Sequence, residues 1–150
     1  MMNCAEVYFF IAEATQRGFV TVDAKTAYET GITQSMQENS IGSDAIAAYL
    51  AQPGIASSSG TMTNLQKIAF QNWIALFKQS VEAWSESRRT DVPLMTSVSE
   101  VYAVRHNRPP FRMAYADEEK SLNTNFPAEV VETDIFWGTQ VWWDTRKGIQ

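Results

Sequence analysis

The chain has 150 residues, 45% of them hydrophobic and 12% aromatic, which is the composition of one globular domain and not of a disordered chain. At this length folding removes roughly two-thirds of the unfolded chain's surface from water, enough for a sizeable core. With 17 acidic against 12 basic residues the net charge is −5, so no broad cationic surface awaits a phosphate backbone and nucleic acid is not an expected partner.

Cys4 is the sole cysteine, which excludes an intrachain disulfide and any multi-cysteine metal site. No run approaches the ~20 apolar residues that span a bilayer, and Met1 is followed by Glu6 with no basic segment ahead of an apolar stretch, so no export signal is expected in this chain. Without a hydrophobic segment before it, Cys4 reads as a small buried apolar residue and not as a lipidation site.

The first predicted helix runs from Asn3 to Arg17, with Val7, Phe10, Ile11 and Ala14 at the i, i+3, i+4, i+7 spacing of one stripe. Gly18 stops it, and Arg17 suits the carbonyl end. Thr21 or Asp23 caps a second helix that extends to about Gln37, with Ala24, Ala27, Tyr28, Ile32 and Met36 inward. Small residues on both helices, Ala12 and Ala14 against Ala24 and Ala27, predict a close antiparallel hairpin of the kind that tetratricopeptide arrays repeat. Ser43 and Asp44 open a shorter helix through Ala51, closed by Pro53 and Gly54, and the tract from Ser57 to Gly60 reads as a flexible loop.

Thr63 and Gln66 form a T-x-x-Q capping box at the head of the strongest pattern, a single amphipathic helix to about Arg89. At ~1.5 Å per residue it would be ~40 Å long. Its predicted inner stripe is Leu65, Ile68, Ala69, Trp73, Leu76, Phe77, Val81 and Trp84. Trp73 and Trp84 are thus assigned to the core, each costing several kcal/mol (~3–5) on truncation to Ala. Beyond Pro93, Pro109, Pro110, Pro127 and several Asn and Ser residues break the periodicity and predict a loop-rich region. Within it, Val101 to Val104 reads as a short strand, Asp117 to Leu122 as a helical turn or two, and Val141 to Trp143 as a tail packed on the helices.

The segment from Gln71 to Pro93, Q-N-W-I-A-L-F-K-Q-S-V-E-A-W-S-E-S-R-R-T-D-V-P, resembles the signature of the SusD/RagB family of outer-membrane nutrient-binding lipoproteins, close to Q-K-W-I-A-L-F, E-A-W and R-R-T-G-x-P. Three more pieces follow the family's order: A-E-V-x-F-x-x-A-E-A from Ala5 to Ala14 before G-I-x-x-S-M from Gly31 to Met36; Arg112-x-x-Tyr115 before E-x-x-x-N from Glu119 to Asn123; and Val141-Trp142-Trp143-Asp144. Asp91 stands where the family usually has Gly, Ala116 where it usually has Pro, and Val104 to Pro110 is longer than usual.

The resemblance implies a mainly α fold, tetratricopeptide-like hairpins plus one long amphipathic helix with an irregular carboxy-terminal region. It implies that residues 1–150 are the carboxy-terminal segment of such a protein, lacking the amino-terminal part and the lipoprotein signal. The implied function is non-catalytic capture of glycans at the extracellular face of the outer membrane and delivery to a SusC-type TonB-dependent transporter, with membrane association through a lipid anchor only and no cofactor. Most sugar-stacking aromatics of the family lie upstream, so the segment alone is expected to bind oligosaccharides weakly or not at all, and to self-associate through an uncovered face including Val7, Phe10 and Ile11 or to co-purify with the missing part.

No catalytic constellation is legible. Glu82 and Glu86 lie on one helix face at i, i+4, where they cannot flank a sugar, and read as a solvated face with Glu86 near Arg89. Glu118 and Glu119 are consecutive and diverge, and His106 is the sole histidine, a loop residue without a second imidazole. Arg88 and Arg89 are assigned a structural role, at least one of them fastening the loop at Val92 and Pro93. Trp137, Trp142 and Trp143 are candidates for stacking on a sugar, although packing against the helices is the plainer expectation. The alternative to glycan capture is a tetratricopeptide-like protein-interaction module that binds no sugar.

Overall fold

The structure, a computed structural model, describes residues 2–56, 61–94, 115–126 and 142. The described residues form six helices and no strand, so the mainly α expectation holds. They are α1 (Cys4–Gln16), α2 (Ala24–Glu38), α3 (Ser43–Leu50), α4 (Asn64–Ala75), α5 (Ser80–Thr90) and α6 (Asp117–Leu122). None of them is long and apolar enough to cross a membrane. The chain divides into two compact units, Met1–Pro93 and Leu94–Gln150.

In the first unit α1 starts at a reciprocal capping box. The Glu6 N–H donates to Asn3 Oδ1 at 2.8 Å and the Asn3 N–H to the Glu6 carboxylate at 3.3 Å, satisfying two donors that the first turn would otherwise leave open. The buried stripe is Ala5, Phe9 and Ala12, not Val7, Phe10, Ile11 and Ala14 as the spacing predicts. Val7 is exposed, while Phe10, Ile11 and Ala14 are half-buried. Apolar residues surround α1 on nearly every side, so its pattern leaves the rotation open and close approach to α2 decides it. Cys4, expected inside, is exposed in the first turn.

α2 is capped by Asp23, whose carboxylate accepts from the N–H groups of Lys25 and Thr26. Ala27, Tyr28, Gly31 and Ile32 are buried and Ala24 and Met36 half-buried, close to the predicted face. Phe9 is the center of the hairpin: its ring meets Tyr28 edge-on at 6.4 Å and lies against the bare backbone of Gly31. The core contains Ala5, Phe9, Ala12, Ala27, Tyr28, Ile32 and Ile68, flanked by half-buried Met36, Tyr49, Leu50 and Ala75. α3 contributes Ile46 and ends before Gly54, whose φ of +94° supplies the turn that glycine tolerates best. Two side chains then fasten the following segment: the Tyr28 hydroxyl donates to the Ile55 carbonyl at 2.9 Å and Lys67 Nζ to the Ala56 carbonyl at 2.8 Å.

The predicted capping box at Thr63 and Gln66 is present, with both bonds made. The single long helix is not. The chain leaves α4 at Leu76, turns through Phe77–Gln79 and restarts at Ser80, giving two helices of about 18 and 16 Å in place of one of ~40 Å. No Gly or Pro marks the break. Leu76, 1% exposed, is held in the core; the turn tightens through Phe77 N–H to Ile74 and Gln79 N–H to Leu76 carbonyl bonds of 3.1 and 2.7 Å; and Lys78 Nζ reaches Asn39 Oδ1 of the α2 end at 2.6 Å. Redirected, α5 leaves Phe77 66% and Val81 69% exposed, against the predicted inner stripe. Asp91 ends α5 in the left-handed region at φ 58°, which accounts for the glycine that the family pattern usually carries there.

In the second unit α6 occupies the predicted Asp117 to Leu122, and Tyr115 meets Phe126 edge-on at 5.2 Å. The expected strand at Val101 to Val104, His106, the loop Ser57 to Gly60, and Trp137, Val141 and Trp143 lie outside the described residues.

Gly31 offers a decisive test of the hairpin. A Cβ there would sit 2.9 Å from Phe9 Cε1, so the buried ring, 1% exposed, would have to shift. Overpacking costs ~1–3 kcal/mol against ~1 kcal/mol gained in helix propensity. Gly31→Ala is expected to lower the melting temperature, and shortening the ring in Gly31→Ala/Phe9→Leu to recover part of the loss.

Candidate functional site

Two carboxylates of the first unit, Glu13 and Glu86, converge on Arg89. From the last turn of α5 its guanidinium donates to both Glu86 oxygens, at 2.9 and 2.8 Å, and to both Glu13 oxygens of α1, at 2.8 and 2.5 Å. Arg17 adds a 2.8 Å bond from its Nε to Glu13. A planar fork with five N–H donors suits two carboxylates at once, where a lysine would serve only one geometry. The Arg89 hydrogen bond is the main cause that holds the Glu13 carboxyl below its ordinary value, with Arg17 adding to it and partial burial opposing. The same bonds, Glu13 first, push the Arg89 guanidinium up.

Several sequence expectations change here. Glu86 is buried, not on a solvated face, and its expected neighbour Arg89 is the reason burial is tolerable. Glu82 remains exposed on α5. The side-chain bonds of Arg89 go to Glu13 of α1 and to Glu86, not to the loop at Val92; at that loop the Thr90 hydroxyl accepts from the Val92 N–H at 3.3 Å. Arg88 lies over the Trp84 ring at 4.5 Å.

Trp73 and Trp84, assigned to the core, are half-buried. Trp73 stacks on Phe70 with ring centroids 6.3 Å apart. Partial exposure brings the expected cost of truncating Trp84 below that of a fully buried ring. Trp142 is 93% exposed, so the packing expectation is not met by this ring. The sequence reading also missed polar groups inside α4: Gln71 is buried against the Tyr49 hydroxyl at 3.0 Å, and Asn72, 1% exposed, has no hydrogen-bond partner for its Oδ1 among the described residues.

A cavity of about 390 Å³ opens beside the first turns of α2 and α4. Its wall is Tyr28, Lys67 and Ile68, all buried. Its rim is Gln16 at the end of α1, Asp23 and Lys25 of α2, and Asn64 of α4. Burial raises the Tyr28 hydroxyl well above its ordinary value, so it stays a neutral donor to Ile55. Among the described residues no group of His, Cys, Asp and Glu could hold a metal ion.

These features define a helical-hairpin scaffold whose ionised groups join helices to one another. A model of the SusD-like family, described as starch-binding and associating with the outer membrane, matches residues 1–116, and the chain belongs to that family. Among solved structures it is similar to a SusD-like protein described as Bacteroidetes AC2a, at 28% identity and a TM-score of 0.79, covering 97% of this chain and 30% of that one. A chitin-binding SusD homolog from Flavobacterium johnsoniae is 27% identical with a TM-score of 0.76 over 100% of this chain and 37% of its own. A further chitin-binding protein gives 26% identity and a TM-score of 0.70, over 97% and 34%. The chain thus spans about a third of these structures' length. No curated protein matches the sequence.

The lowered Glu13 value fixes the sign of an acid dependence. A carboxylate whose folded value lies below its unfolded value near 4.5 stabilises the fold fully above that pH and loses the contribution as pH falls through the folded value. Melting curves below about pH 4.5 should therefore fall more steeply for the native chain than for Glu13→Gln. At neutral pH Arg89→Ala, which leaves two carboxylates facing each other, is expected to cost about 1–2 kcal/mol, moderated by the guanidinium's partial exposure.

Proposed function

We propose that this chain is part of a non-catalytic glycan-capture protein at the outer face of the outer membrane, which passes oligosaccharides to a SusC-type TonB-dependent transporter. The observation that carries the reading is the family match over residues 1–116, together with chitin-binding proteins that superpose over nearly the whole chain. Site chemistry supports it. Glu86, the one partner that Glu82 has within a helical turn of itself toward the carboxy terminus, is neutralised by Arg89 and cannot serve as an acid across a sugar. Trp142 presents a ring free to stack on the apolar face of a pyranose, with Trp137 and Trp143 the neighbouring candidates in sequence.

A second reading, a protein-interaction module without sugar binding, is favoured by Ile74, Phe77 and Val81, which are 37%, 66% and 69% exposed around the α4–α5 turn. Titration calorimetry with chitin and maltose oligosaccharides separates the two, alongside chromatography of the sugars after long incubation. Glycan capture predicts binding with intact sugars recovered and an affinity about tenfold lower for Trp142→Ala, the size of one lost ring contact. Release of shorter sugars would show an enzyme, and no binding by any sugar would favour the interaction module.

A further inference from the structure

We infer that the cavity beside α2 and α4 is a subsite for a neutral polyhydroxylated ligand of monosaccharide size, held by the side-chain amides of Gln16 and Asn64. The inference rests on the glycan-binding reading and adds to it a contact point far in sequence from the tryptophans. Its volume, about 390 Å³, lies within the roughly 300–1,000 Å³ of small-molecule sites.

The chemistry of the lining selects the ligand class. Two helices begin at the cavity, an arrangement that would ordinarily attract an anion, but a carboxylate already stands at one end and side chains already engage the first turn of the other. The Asp23 carboxylate accepts from the N–H groups of Lys25 and Thr26, and the Thr63–Gln66 box occupies the first turn of α4. Lys67 donates its ammonium to the Ala56 carbonyl, and Lys25 lies 3.7 Å from Glu29. Gln16 and Asn64 make no side-chain hydrogen bond among the described residues and are exposed at the rim. Each offers two N–H donors and a carbonyl acceptor, the set that adjacent hydroxyl groups satisfy from both sides.

The wall is preorganised for such a ligand. Tyr28 and Lys67 are fixed by their bonds to Ile55 and Ala56, so binding does not have to order them. Tyr28, 3% exposed, offers no open ring face, so recognition is by hydrogen bonds without stacking and affinity is expected on the order of 1 mM.

The test is a nuclear magnetic resonance titration of the isotopically labelled full chain, with the two amide side chains assigned through Gln16→Ala and Asn64→Ala. The probes are N,N′-diacetylchitobiose, maltose and the acidic sugar glucuronate. Expected are shifts of both side-chain amides with a neutral sugar, insensitive to salt, and an affinity at this site reduced about fivefold or more in Gln16→Ala/Asn64→Ala. Since both residues are exposed, the double variant should keep its melting temperature. Sugar binding that leaves these amides unmoved, or is unchanged in the double variant, overturns the subsite while the glycan reading stands. Shifts with glucuronate alone that vanish in salt overturn the neutral-ligand assignment, and failure of every sugar to bind anywhere overturns the subsite.

Discussion

The contact of Phe9 with the backbone of Gly31 sets the geometry on which the first unit depends. A large ring can lie fully buried between two helices only if the facing helix presents no side chain at that height, and α2 provides this with a glycine at its center. The alanines at positions 5, 12 and 27 complete the close approach. Once α1 and α2 are locked in that rotation, Glu13 faces α5 and Ile68 of α4 joins the same core. The choice of which α1 face is buried therefore also decides where the acidic partner of Arg89 stands.

That partner gives a physical meaning to two sequence signatures 76 positions apart. The A-E-A of the opening helix and the R-R-T of α5 are the two halves of one clamp, Glu13 and Arg89, with Glu86 as the third member. A buried or half-buried carboxylate is costly unless paired, so neither acid would be stable in its place without the guanidinium. In this chain those residues of the family pattern hold helices together.

Local signals were legible in the sequence. Asp23 as a cap, the Thr63–Gln66 box, the spans of α1 to α3 and the short helix at Asp117 to Leu122 all follow from rules that act within one turn of chain. What was not legible depends on neighbours far away. The rotation of α1 is set by α2, because apolar residues encircle it and its own pattern has no single face. The break after Ala75 lacks Gly or Pro and arises from Leu76 being held in the core and Lys78 reaching Asn39. The glycine preference of the family at Asp91 did mark a left-handed residue, although the chain carries a carboxylate there. At the cavity, Gln16 and Asn64 lie 48 positions apart in sequence and carry no motif, so only folding shows them on one rim.

The break between α4 and α5 divides the first unit into parts of unequal resistance to opening. α4 is rooted in the core through Ile68, Ala69 and Leu76, whereas the fully buried positions of α5 are the polar Glu86 and Ser87. Ionic attachments weaken as salt rises and hydrophobic ones do not. Within this unit the amide protons of α5 are therefore expected to exchange with solvent before those of α1, α2 and α4, and faster still at high ionic strength. Had the chain continued as one rigid rod from α4, the apolar anchoring of that helix would have extended to the residues of α5 as well.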